Sequence, residues 1–254
     1  AYTVGDRKII EGITPNFWRA ATDNDWGNNA HRRLNAWRCA WDSRRCTDVN
    51  VEGNVLTATY ELPDVDATLQ LSYSVYQNGV IDVSFRLDGE ESMPEAMRIG
   101  LQLAMPKAFD RFSYYGRGPL ENYSDRNTAA FMGRWNSHVS DEFYPYIRPQ
   151  ETGNHTDVRE ASLTDASGLG IEVRGAQPLN VSALDVRPDD LDPGLAKHQM
   201  HNSDVRHSRT QVFLNVDLAQ RGLGGDDSWG AAPHAPYILR DKAYAYTFRL
   251  SPLR

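Results

Sequence analysis

The 254-residue sequence has only two cysteines, Cys39 and Cys46. That count excludes a disulfide-framework domain. The cysteines fall seven residues apart in a stretch that reads as a helix, about two turns and roughly 10 Å of rise, so they are expected to be free thiols. No apolar run approaches the roughly 20 residues that span a bilayer. The first ten residues, AYTVGDRKII, lack the apolar segment of a signal peptide; because chains can be processed, that leaves the compartment open. Positive charge is in the minority, with 27 Lys and Arg against 34 Asp and Glu for a net −7. This argues against non-specific nucleic-acid binding, which needs a basic face to displace counterions. Glycine and proline, 19 and 13, are near average, so collagenous and low-complexity classes are out. With 40% hydrophobic residues the chain can build a sizeable core.

What is present is mostly period-2 alternation. Leu69, Leu71, Tyr73 and Val75 alternate with Thr68, Gln70, Ser72 and Ser74. Ile81, Val83, Phe85 and Leu87 alternate with Asp82, Ser84 and Arg86, and Asn78-Gly79 between the two runs is a hairpin signal. VLTATYEL at 55–62, GLGIEVRG at 168–175, QVFLNVDL at 211–218 (apart from Phe213) and AYAYTFRL at 243–250 continue the theme. One helix is expected over 28–46, where Leu34, Trp37 and Trp41 share a face. An α/β barrel would need eight amphipathic helices, and no 20–50-residue repeat suggests a propeller. No linker divides the chain. The reading is all-β: one domain over residues 1–254, a large antiparallel two-layer sandwich with few short helices. Between the strand groups, residues 114–159 read as a long connection rich in Tyr, Trp, Asn, Arg and Glu. Such a mixture suits a sugar surface, with rings for the apolar sugar face and polar groups for hydroxyls; it equally suits a loop packed over the sandwich.

The usual catalytic motifs are missing: GxSxG, Walker A, HExxH and paired CxxC. His198, His201 and His207 are too loosely arranged to read as a metal site, which needs three or more convergent ligands, and no metal or cofactor is assigned to this chain. His155, near Glu151 and Asp157, is a candidate acid/base cluster, weighed against an ordinary loop histidine. The most specific local feature is GGDDSW. Gly224 and Gly225 permit unusual backbone angles. Asp226 and Asp227 can bond loop amides, cap the turn or hold a cation. Trp229 then projects as a pre-positioned ring suited to stacking on a sugar, unless it plugs the end of the sandwich.

Four motifs, NFWRAATDNDWG (16–27), YYGRGPLENYSDR (114–126), YIRPQETGNHTDVRE (146–160) and LGGDDSWG (223–230), span nearly the whole chain. With them the sequence resembles the C-terminal region, often called the small-chain or fifth domain, of the large bacterial family 2 β-galactosidases. The resemblance implies a galactose-mutarotase-like antiparallel β-supersandwich. It implies a fragment of a retaining enzyme acting on terminal β-D-galactosides, whose two catalytic glutamates lie on a preceding barrel. Glu121, Glu142 and Glu151 are therefore not those residues, and no catalytic residue is expected here. It places Trp229 at the rim of the barrel's active site as a substrate contact, with Gly224, Gly225, Asp226 and Asp227 as loop support. Roles for Arg126, Glu151, Asn154, His155 and Arg159 do not follow. The implied partners are the galactoside and the other domains of the same polypeptide, where magnesium and sodium are often bound. Homo-oligomerisation is left open, and neither nucleic acid nor membrane is implied. Two alternatives stand beside this: a free-standing carbohydrate-binding module, and an aldose mutarotase, for which His155 with Glu151 is the sole local candidate for the acid and base.

Overall fold

The alternating segments become strands because one face of each is apolar. The computed structural model describes residues 1–192, 194 and 200–254. A small two-stranded sheet pairs β1 (Tyr2–Val4) with β2 (Arg7–Ile10). The remaining strands form one twelve-stranded sheet. They are β3 (Gly12–Asn16), β4 (Arg45–Glu52), β5 (Val55–Leu62), β6 (Ala67–Val75), β7 (Ile81–Gly89), β8 (Arg98–Pro106), β9 (Arg111–Gly118), β10 (Phe131–His138), β11 (His155–Thr164), β12 (Gly170–Leu184), β13 (Gln211–Gln220) and β14 (Ala243–Leu253). Every pairing is antiparallel. The expected hairpin is present: Leu69 faces Leu87 and Leu71 faces Phe85 across β6 and β7.

The sheet doubles back at β12. Its first half, Gly170–Gly175, pairs with β14, and its second, Asn180–Leu184, pairs with β13. Pro178 lies at the changeover, where a residue without an N–H interrupts a ladder at least cost. One arm then runs β14-β7-β6-β5-β4 and the other β13-β8-β3. They share a core in which Phe85, Tyr246 and Phe248 meet Leu101, Leu214 and Val216. Phe85 packs against Phe17 at 6.2 Å and Tyr246 at 5.2 Å between ring centroids, and the Tyr246 hydroxyl donates across the core to the Val216 carbonyl at 2.8 Å.

The expected helix over 28–46 is not continuous. Two one-turn pieces, α2 (Ala30–Arg33) and α3 (Ala36–Cys39), lie within that range, a further turn, α1 (Asp23–Gly27), precedes it, and its last two residues begin β4. Asn29 adopts a left-handed φ of 59°, and the Asn28 side chain accepts from the Ala30 N–H at 3.0 Å, so asparagines satisfy the backbone locally and break the run. Leu34 and Trp37 do bury one face. Cys39 ends α3 while Cys46 lies on β4; both are free and exposed, but not because they share a helix. Residues 114–159 are also not simply a connection, since they contain most of β9, all of β10 and the start of β11. A fourth short helix, α4 (Pro188–Leu191), precedes β13.

Because Phe85 is wholly buried between the arms, Phe85→Ala should cost about 3–5 kcal/mol. The expected result is a lower denaturant midpoint with an unchanged slope; a midpoint within error of the parent would mean the arms do not share this core.

Candidate substrate-rim site

The chain leaving β13 enters a glycine-rich loop that cannot hold itself, and other segments hold it. Asp125, at the end of the 114–126 motif, accepts the Leu223 N–H at 3.0 Å and the Gly224 N–H at 2.9 Å. Asp227 Oδ1 accepts three consecutive backbone donors, from Trp229 and Gly230 at 3.0 Å and from Ala231 at 2.9 Å. These amides, Ala231's first, hold the Asp227 carboxyl below the usual carboxylate range. Asn24 of α1 donates to the Asp227 carbonyl at 3.3 Å.

The backbone at Gly225 and Gly230 has φ of +139° and +124°, which residues with a Cβ rarely adopt. Gly27 at the end of α1 presses against Gly230 so closely that a Cβ on Gly27 would lie 2.6 Å from the Gly230 Cα and from the Trp229 carbonyl oxygen. The segment bearing Gly27 is fixed in turn. The Thr22 hydroxyl and the Asp25 carboxylate cap α1 reciprocally, and Asp25 pairs with the fully buried Arg19 at 2.7 Å. Arg19 also donates to the Gly222 carbonyl at 3.1 Å, returning to the loop.

On this mount Trp229 is 80% exposed. The reading of its ring as a plug in the sandwich end is therefore excluded. Gly224 and Gly225 carry left-handed φ of +77° and +139°, and Asp227 bonds loop amides. Asp226 does not bond loop amides: its Oδ2 lies 2.6 Å from His234 Nε2, and that hydrogen bond raises the His234 pKa above its ordinary value. Two clefts flank the Gly224-Gly225 turn, of about 320 Å³ beside Asn24 and Gln150, and about 280 Å³ beside His234 and Tyr237. Arg126 lines both. Asp125 and Gly27 were missed as loop support, although both lie within the singled-out motifs and Gly27 closes the first.

The third motif braces the second. Glu121 accepts from the Gly153 N–H at 2.7 Å and Thr152 hydroxyl at 3.1 Å, and also binds Arg126 and the Tyr146 hydroxyl. Asn154 and Asn122 exchange hydrogen bonds at 2.7 and 2.8 Å. His155 does not cluster with Glu151 and Asp157. It is buried, with Nδ1 2.9 Å from the Tyr114 hydroxyl and Nε2 2.6 Å from Glu142. Asp157 pairs with Arg117 at 2.5 Å. Glu151 is buried 4.0 Å from Arg98; burial raises its carboxyl pKa against the pull of that arginine. Arg159 is exposed on β11. Of the histidine trio, His198 lies outside the described residues, His207 pairs with Asp185 at 2.7 Å, and the His201 backbone N–H caps a short turn on Asp204. Among the described residues no three His, Cys, Asp or Glu side chains converge on a metal position.

Gly27→Ala should displace the Trp229 loop, since the contacting atoms are backbone and cannot swing away. Faster amide exchange across 224–231 with the rest of the sheet unchanged is the expected readout; unchanged exchange would refute the contact. The carboxylate form of Asp227 gives the loop a pH signature. Its folded pKa is depressed, so the bracing is complete above the unfolded value of about 4 and is lost only as pH falls through the lower folded value. Trp229 fluorescence should therefore hold steady from pH 7 to about 5 and change only below about pH 4, and in Asp227→Asn that transition should vanish.

A family model described as beta galactosidase small chain matches residues 1–250. The β-galactosidase of Priestia megaterium is 37% identical over 250 residues, which cover 96% of this chain and 24% of that protein. That of Streptococcus thermophilus is 32% identical, with 96% and 24% covered, and β-galactosidase BgaC of Bifidobacterium adolescentis is 35% identical, with 94% and 23% covered. The chain thus spans about a quarter of the length of these relatives. Among solved structures, a GalM/aldose epimerase homologue from C. elegans aligns with a TM-score of 0.43 and 8% identity over 80% of this chain and 67% of its own. The whole-length match of the small-chain model, with its four motifs gathered around one loop, makes this chain a member of the β-galactosidase small-chain family.

Proposed function

We propose that residues 1–254 form one domain of a retaining β-galactosidase and complete the rim of an active site whose catalytic carboxylates lie on another part of the same polypeptide. The observation that carries the reading is the exposed Trp229 on a loop braced by Asp125, by Gly27 and by its own Asp227. An indole held in place loses little entropy when a sugar stacks on it, so such a ring is suited to contact substrate at the mouth of a site. Retaining hydrolysis needs two carboxyl groups about 5–5.5 Å apart across the sugar. The carboxylates beside this loop are instead tied to partners, the buried Asp25 to Arg19 and the half-buried Glu121 to four donors. The mutarotase alternative loses its candidate base, because His155 is 1% exposed with both ring nitrogens engaged.

Stacking should contribute on the order of 1–2 kcal/mol. In the full-length enzyme, Trp229→Ala should therefore weaken substrate binding roughly 5- to 30-fold, with KM rising more than kcat falls. Unchanged kinetics would reduce Trp229 to a surface residue. The purified chain alone should not turn over a chromogenic β-galactoside; genuine turnover would overturn the assignment of the carboxylates to another domain.

A further inference from the structure

A separate cleft of about 250 Å³ opens between β3, α3 and α4, and shares no lining residue with the two clefts beside Trp229. Its floor is polar for a reason that begins in the sheet. Thr14, Gln102, Asn215 and Ser182 lie opposite one another across β3, β8, β13 and β12. Asn215 is almost fully buried and satisfies itself within this row. Its Oδ1 accepts from Asn16 Nδ2 at 3.1 Å and from Gln102 Nε2 at 3.0 Å, and its Nδ2 donates to the Ser182 hydroxyl at 3.0 Å. Asn16 and Gln102 thereby spend their amide nitrogens on the sheet. Their carbonyl oxygens, and the hydroxyl of the exposed Thr14, have no protein partner among the described residues, and all three residues line the cleft.

The walls are aromatic. Trp18 and Trp37 are buried behind the lining and fix its shape. Trp41 is half-buried and held still, with the Arg44 guanidinium 4.2 Å from its ring centroid and Tyr60 edge-on at 5.0 Å. Around the rim, Arg38 and Arg187 are balanced by Asp42 and Asp189, with Arg38 bound to Asp189 at 2.7 Å.

This combination selects a ligand class. An anion would meet carbonyl oxygens on the floor and two carboxylates at the rim. An apolar ligand would bury those acceptors unpaired, at about 1–3 kcal/mol each. A neutral ring carrying several hydroxyls satisfies the acceptors and sets its apolar face against an indole. The volume falls below the roughly 300–1,000 Å³ of drug-sized sites and suits a single ring. We propose that this cleft is a second carbohydrate site that binds one neutral hexopyranose. It stands whether or not the parent enzyme hydrolyses galactosides.

The test uses the full-length protein carrying Trp229→Ala, so that the rim contact is weakened, with glucose as the titrated probe and binding followed by NMR or calorimetry. The expected result is saturable binding with Kd on the order of millimolar. Adding Gln102→Leu should raise Kd roughly tenfold or more, and Thr14→Val, at an exposed position that cannot harm the core, should raise it severalfold. Chromogenic galactoside turnover in Gln102→Leu on the wild-type background should stay unchanged. Should Gln102→Leu lower the melting temperature, Thr14→Val alone decides. Absence of saturable binding, or a Kd that Thr14→Val does not move, overturns the proposal.

Discussion

Two carboxylates hold the indole of Trp229, the most exposed of the large hydrophobic side chains among the described residues apart from Ile147, in place by accepting backbone N–H groups. Backbone amides are ordinarily ordered by pairing with another strand, but residues 222–230 contain four glycines and lie outside the ladder. Such a stretch carries maximal conformational entropy and supplies few contacts of its own. Asp125 and Asp227 replace the missing strand. Hydrogen bonds to an ionised acceptor are shorter and stronger than neutral ones, so a carboxylate taking two or three amides fixes a loop that apolar packing does not reach. The glycines are then required rather than merely tolerated, because a side chain at Gly27 or Gly230 would enter the backbone of the other.

Beneath this loop lies a layer of buried ions rather than apolar core. Arg19 pairs with Asp25, Arg98 with Asp217 at 2.6 Å, and the fully buried Arg221 with Glu95 at 3.3 Å. Desolvation makes such pairs a weak source of stability, and replacing them with apolar residues is often neutral or favourable. Their arrangement here is positional. Arg19 ties α1 to the Gly222 carbonyl, and the Arg221 N–H, beside it in the chain, donates to the Met97 carbonyl as β13 ends. The layer anchors both feet of the Trp229 loop to the sheet while leaving Arg19 Nε, Arg221 Nε and Nη2 and Gln220 Oε1 buried without partners among the described residues. Buried polar groups of this kind are commonly completed by ordered water, which suits a rim more than a dry core does.

The parts legible in the sequence were those whose physics is local and repetitive. β6, β7 and β14 alternate because one face meets the core and the other meets solvent. β4 escaped because its alternation is short, only Val49 and Val51 between Asp48, Asn50 and Glu52, and because all eight of its residues are exposed. β9 and β10 escaped because Tyr, Arg and Trp pack as strand residues there yet look like loop residues in a list. The short helices misled because Leu34 and Trp37 do share a buried face, while the asparagines between them set the breaks. At the site, GGDDSW announced its own geometry. Asp125 could not be read, since its partners lie 98 and 99 residues away. His155 was drawn towards Glu151 by proximity in sequence, but strand pairing turns its ring to Tyr114 and Glu142.

The doubled sheet explains why these features coexist. An edge or loop can carry an exposed aromatic only if its base does not move, and β13, buried along most of its length between β12 and β8, is such a base. The same strand carries Asn215, whose polar row opens on the cleft beside β3, and at its C-terminal end it releases the chain into the Trp229 loop. One rigid central strand therefore fixes two surfaces far apart in sequence. Each surface adds only short polar contacts to it, and the shape of both is set when the sheet folds, so that the ordering entropy falls on folding and not on any later contact.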